Sequence, residues 1–310
     1  MELRQAENKV RIEGILNEVD IKEKSYVKNG KTVECISGRI HIKTTETING
    51  KEKELIIPID MFANKYTKDG KINTAYNSIY RVMTELVSAA AAPEGVEPDL
   101  VRVNGSLKMN EYPSKRTGEI VSFPRVTASF VNKVKTDEYK PEATFSTEFV
   151  VVSADYETNK DGEETGRYRI HGVVPQYGGT VDVFQFYAVS KNVIDAVSSY
   201  WAIGDTVSAI GKLDFSQTVT KEKRTVEVDF GEPQEKEYTN TITVSDLIIT
   251  GGSQTPLDGT NAYEAGAIQE ALAERKARLA DAKAKAASGA PGTQKSVPGK
   301  TPGKATDFGF

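Results

Sequence analysis

Three groups of residues within the first 137 positions carry side chains suited to holding a flexible polyanion. The first is Lys22, Lys24, Tyr26, Lys28 and Lys31. The second is the alternating triplet Arg39, His41 and Lys43. The third is Tyr112, Lys115 and Arg116, followed by Phe123 and Arg125. Lysine and arginine attract phosphates, and an aromatic ring offers a flat face on which an unpaired base can stack. Ile40 and Ile42 separate the members of the triplet. Successive side chains of a β-strand point to opposite faces, so this strand should be basic outward and apolar inward. An ordinary solvated sheet gives the same alternation, and a lysine-rich loop is often only surface. The coincidence of three such groups is what points to binding.

Other chemistry is poorly supplied. The single cysteine, Cys35, excludes an intramolecular disulfide. With His41 and His171 the only histidines, the usual nitrogen and sulfur ligands of zinc are missing and nucleophilic catalysis has little material. There is no phosphate loop, dinucleotide loop or metalloprotease helix motif. The expectation is a binding protein without cofactor or metal, and not an enzyme. No apolar run approaches the ~20 residues of a membrane span. The first residues lack a signal-peptide core, so a cytoplasmic location is expected.

The elements that must position these groups read mostly as strands. Val10–Ile21, Ile36–Thr45, Leu55–Phe62, Leu100–Met109 and Val121–Val134 alternate or are β-branched, with Asn29-Gly30, Asn49-Gly50 and Asp69-Gly70 as turns. Helical spacing of Ile79, Val82, Met83, Leu86 and Val87 predicts a helix over about 74–92, closed by Pro93. The same order, three strands, a helix and two strands, returns over 143–250, with a helix predicted over 193–201. The fourth strands even share the pattern V-x-[VA]-x-G-x-L-x-[MF], at Val101–Met109 and Val207–Phe215. That order is the order of the OB-fold, a five-stranded Greek-key barrel. The predicted class is all-β with minor helices: two tandem OB-fold-like barrels, then a helix and a disordered tail. Two unrelated β-sandwich domains are the alternative.

Domain limits follow: 1–137 for the first, DNA-binding barrel, 138–252 for the second, 253–287 for a linker and an Ala/Glu/Lys/Arg-rich helix, and 288–310 for the tail. Charge is uneven among them. Residues 1–137 hold 22 Lys and Arg against 19 Asp and Glu, residues 138–258 hold 10 against 20, and residues 259–310 hold 8 against 5. The acidic second barrel is a poor phosphate binder. Its candidate stacking set is Tyr168, Arg169, His171 and Tyr177, and a dimerisation or protein-docking role fits it equally. Ile268, Leu272 and Leu279 make a thin apolar stripe, so the late helix is expected to dock weakly or not at all. The Gly/Pro/Lys stretch after it cannot bury enough apolar area to fold.

Tandem OB barrels, a low-complexity tail and the ending Asp307-Phe308-Gly309-Phe310 resemble the single-stranded DNA-binding proteins of bacteria and their phages, the phage ones more closely. In that family the tip is a run of acids closed by proline and a terminal phenylalanine, and it recruits replication and repair enzymes. Asp307, Phe310 and the terminal carboxylate match; Phe308 adds a ring. Gly309 departs from the usual proline, only one acid precedes the rings, and the linker is basic. The resemblance implies sequence-tolerant binding of single-stranded DNA in replication, recombination or repair, partner recruitment through Asp307, Phe308 and Phe310, and a homo-oligomer as an open possibility. A non-enzymatic structural or assembly protein with β-barrel domains is the competing reading.

Overall fold

The computed structural model describes residues 3–226 and 234–288, with side chains placed outside 217–242. The first unit contains β1 (Asn8–Lys28), β2 (Lys31–Ile48), β3 (Lys51–Asn64), α1 (Thr74–Glu85), β4 (Leu100–Pro113) and β5 (Ile120–Lys133). Pairing runs β1–β2–β3–β5–β4 and returns to β1, and only β3–β5 is parallel, which is a closed five-stranded OB barrel. The second unit repeats it with β6 (Glu142–Thr158), β7 (Glu164–Pro175), β8 (Val181–Ala188), α2 (Lys191–Tyr200), β9 (Thr206–Val226) and β10 (Gln234–Gly252). Its circuit is β6–β7–β8–β10–β9 and back to β6, again with one parallel contact, β8–β10.

Period-two burial builds each core. Ile40, Ile42, Ile57, Ile59, Leu107 and Val126 are fully buried in barrel 1, and Phe149, Phe184 and Phe186 in barrel 2. The glycine shared by the two fourth strands has a steric reason. A Cβ on Gly105 would lie 2.3 Å from the Thr127 carbonyl oxygen, and one on Gly211 would lie 2.2 Å from that of Ile248. Both sit beside a register shift, where the strand coils to close the barrel.

The first β-hairpin is not a loose loop. β1 and β2 remain paired to Lys28↔Lys31, and Asn29 and Gly30 both take positive φ, 51° and 74°, as a type I′ turn requires. The first helix is shorter than its periodicity predicts. It stops at Glu85 because the N–H groups that follow find other acceptors: Val87 bonds Asp99, while Ala89 and Ala90 bond the carbonyls of Leu16 and Asn17 beside a bulge in β1.

The barrels share one sheet. Val10–Ile15 of β1 pairs with β4 on one side, and Asn8–Glu13 pairs with Glu142–Thr147 of β6 on the other. Glu13 lies at this junction with its side chain fully buried, accepting from Arg102 at 2.7 Å and from the Lys140 N–H at 2.9 Å. Burial raises its pKa, but those hydrogen bonds and the charges of Arg102 and Arg11 outweigh it, and the net shift is downward. The tip of the β2–β3 hairpin also grips β9: Lys53 pairs with Asp214 at 2.5 Å, and Lys212 with Glu46 at 2.7 Å.

After β10 the chain packs rather than trails. Tyr263 is buried under the Arg4 guanidinium, and α3 (Ala265–Ala287) docks on barrel 1. This corrects the expectation of a weakly docked helix. Ile268 and Ala271 supply the apolar contact, and charge does the rest: Arg275 pairs with the nearly buried Glu111 of β4, and Lys283 with Glu119 at 2.8 Å. No helix among the described residues is long and apolar enough to cross a membrane.

Candidate nucleic-acid interface

The outward face of barrel 1 is built by β2, β3 and β5. On β3, Ile57, Ile59 and Met61 point inward, so Asp60 and Phe62 point out, and Phe62 is 57% exposed. From Phe62 the face can be followed residue by residue. Tyr26 of the first hairpin lies 6.5 Å from its ring, and the Tyr26 hydroxyl donates to Asn64 at 3.1 Å. Asp60, two positions back on the same face, pairs with both Arg39 (2.9 Å) and Arg125. Arg125 stands 5.8 Å over the Phe123 ring, and Tyr112 packs edge-on against Phe123 at 6.3 Å. Tyr26, Phe62, Asp60, Arg125, Phe123 and Tyr112 therefore form one continuous row. It joins the β1–β2 hairpin to the β4–β5 hairpin, and Tyr66, exposed beside Lys65, flanks the Phe62 end.

The charge on this face is distributed differently from the alternation alone. Arg39, His41 and Lys43 do point outward, but Arg39 pairs with Asp60 and Lys43 with Glu54 at 2.8 Å, while Nδ1 of His41 lies 3.3 Å from a Glu18 carboxylate oxygen. Burial holds the His41 imidazole below its usual pKa. Burial also pulls Arg125 down, though a guanidinium stays charged. Lys22 pairs with Asp20 at 3.1 Å. Lys24, Lys28, Lys31, Lys115 and Arg116 make no ion pair among the described residues, and all but Lys24 are exposed. The arginines and Lys43 of the strand face are thus charge-paired, and these five cations sit on the two hairpins that bound it.

The family model YorF matches residues 6–285. The chain belongs to the YorF family. No curated protein sequence matches it. Among solved structures, the wild-type single-stranded DNA binding protein from Thermus aquaticus aligns over 85% of this chain and 99% of its own, at 11% identity and a TM-score of 0.48. A deletion variant of the same Thermus aquaticus protein aligns over 84% and 99%, at 12% identity and a TM-score of 0.46.

In the second barrel of this YorF-family chain the predicted residues are scattered. Tyr168 lies at the barrel mouth, edge-on to Tyr156 at 5.1 Å. Arg169 is paired with Asp155 at 2.6 Å. Tyr177, 84% exposed, caps a turn beyond β7. Only His171 reaches a shared site, a cleft of about 380 Å³ between the barrels that Phe123, Gln185, Ser245 and Arg275 also line. Asp307, Phe308 and Phe310 lie outside the described residues. Phe62 and Tyr66 escaped the sequence reading. The inward alternation of Ile57, Ile59 and Met61 is the signal that marks Phe62.

Proposed function

We propose that this protein binds single-stranded DNA with little sequence preference, on the outer face of its first barrel. The observation that carries the reading is the unbroken row from Tyr26 to Tyr112, bounded at both ends by hairpins that carry Lys24, Lys28, Lys31, Lys115 and Arg116, which make no ion pair among the described residues. A base needs a flat apolar ring to leave solvent against, and a phosphate needs a cation that is not already neutralised. Both are present, in separate places, at the spacing of one groove. The paired charges between them keep the face polar enough to stay soluble without gripping any one base.

Roles in replication, recombination or repair, a phage origin, a cytoplasmic site of action and a non-enzymatic mode of action belong to the same reading. So does recruitment of partner proteins by Asp307, Phe308 and Phe310, which rests on their composition at the end of a Gly/Pro/Lys stretch. Fluorescence-anisotropy titration of oligo-dT against duplex of the same length tests the central claim. Clear preference for oligo-dT supports it, and equal affinity for both ends it. Deleting Asp307 to Phe310 should leave that titration unchanged while removing partners from a pull-down.

A further inference from the structure

The face of barrel 2 that corresponds to β2 and β3 is formed by β7 and β8, and it is only partly open. Barrel 1 borders it: Phe123 of β5 lines a cleft with His171 and Gln185, and Arg275 of α3 walls one side. What remains is the cleft of about 380 Å³. That is near the lower end of the ~300–1,000 Å³ of small-ligand sites, too small for a run of nucleotides or a protein segment.

Its walls carry a definite set of groups. Phe123 supplies a ring. The His171 Nδ1 is engaged by the Ser153 hydroxyl at 2.8 Å, which leaves Nε2 for another partner. The side chains of Gln185 and Ser245 make no hydrogen bond among the described residues, and Gln185 is exposed. Arg275 is committed to Glu111, so it acts as a fixed wall. A ring beside an amide, an imidazole nitrogen and a hydroxyl is matched by a nucleobase, which has a flat face and an edge of donors and acceptors.

We propose that the inter-barrel cleft takes one unpaired nucleobase, stacked beside Phe123 with its edge toward Gln185, His171 and Ser245. The inference rests on the single-strand reading above, because Phe123 belongs both to the barrel 1 row and to the cleft. It gives barrel 2 a defined share in binding despite its acidic surface. One nucleotide is held there by stacking and hydrogen bonds, and phosphate attraction is left to barrel 1.

Photocrosslinking with an oligo-dT carrying 5-bromouracil, followed by peptide mapping, separates the two claims. Wild-type protein should give adducts on barrel 1 peptides containing Phe62 or Tyr112 and also on barrel 2 peptides spanning residues 171–187. Gln185→Trp fills the cleft from an exposed position. It should remove the barrel 2 adducts, keep those on barrel 1, and weaken binding at least about fivefold, the low end for one stacked base. Gln185→Ala, which adds no bulk, should weaken binding in the same direction. Adducts confined to barrel 1, with both variants binding like wild type, overturn the cleft assignment and leave the single-strand reading standing. Absence of any binding to oligo-dT overturns both.

Discussion

Asp60 is the residue on which the character of the binding face turns. It holds Arg39 and Arg125 together, so two guanidinium groups present about one net charge where two would otherwise face the strand. A carboxylate between two arginines occupies the place a phosphate would take, and it competes with one. Asp60→Asn should therefore tighten oligo-dT binding and steepen the log–log salt slope by about 0.7, the contribution of one more phosphate neutralised on a single strand. An unchanged slope would show that the strand does not pass over this pair. Phe62 makes the complementary case. Being mostly exposed, it contributes little to the core, so Phe62→Ala should leave the melting temperature within a few degrees while costing about 1–3 kcal/mol of oligo-dT affinity. Anisotropy titration and a thermal melt of the same sample check both halves.

Among the elements, β1 carries the most, because it closes barrel 1 and also pairs with β6. The strands and their order were legible in sequence because period-two burial is written directly into Ile40/Ile42 and Ile57/Ile59. The glycine pattern of Val101–Met109 and Val207–Phe215 marked the same coiled strand in both barrels. What sequence did not reveal is set by neighbours distant in the chain. The pairing of Arg39 with Asp60, the end of α1 at Glu85 and the docking of α3 through Arg275 and Glu111 all depend on partners 12 to 164 positions away, or on a bulge in another strand. Glu13 is of this kind, and it sets an acid limit. Its folded pKa is depressed below the ordinary 4.5, so its contribution is complete above that value and is lost as pH falls through the lower folded value. Glu13→Ala removes the buried partner of the part-exposed Arg102 and should destabilise the fold at pH 7. In urea titrations the gap between wild type and variant should narrow as pH falls below 4.5; a gap that does not change with pH would falsify this role.

For the whole molecule the proposed function raises the question of how a chain of net charge −4 would hold a polyanion. Net charge is a poor guide when the charges are sorted by place. Most acids of the first barrel's face are spent on cations of the same face, and the acidic surplus lies in residues 138–258. Five cations that make no ion pair among the described residues, Lys24, Lys28, Lys31, Lys115 and Arg116, lie on two hairpins at opposite ends of one aromatic row. Five phosphates neutralised on a single strand give a slope of about −3.5 for log affinity against log salt. On the proposed reading the remaining affinity should come from stacking on Tyr26, Phe62, Tyr112 and Phe123, which salt does not screen. Binding should thus weaken with salt but persist at concentrations where a purely electrostatic complex is gone. Duplex DNA cannot use the row, because its bases are already stacked inside the helix. It should therefore show only the electrostatic part, with lower affinity at every salt concentration and near-complete loss at high salt. Titrations of oligo-dT and duplex across a salt series measure both quantities at once. Parallel lines of equal height for the two ligands would mean that phosphate attraction alone operates and that the aromatic row does not hold bases.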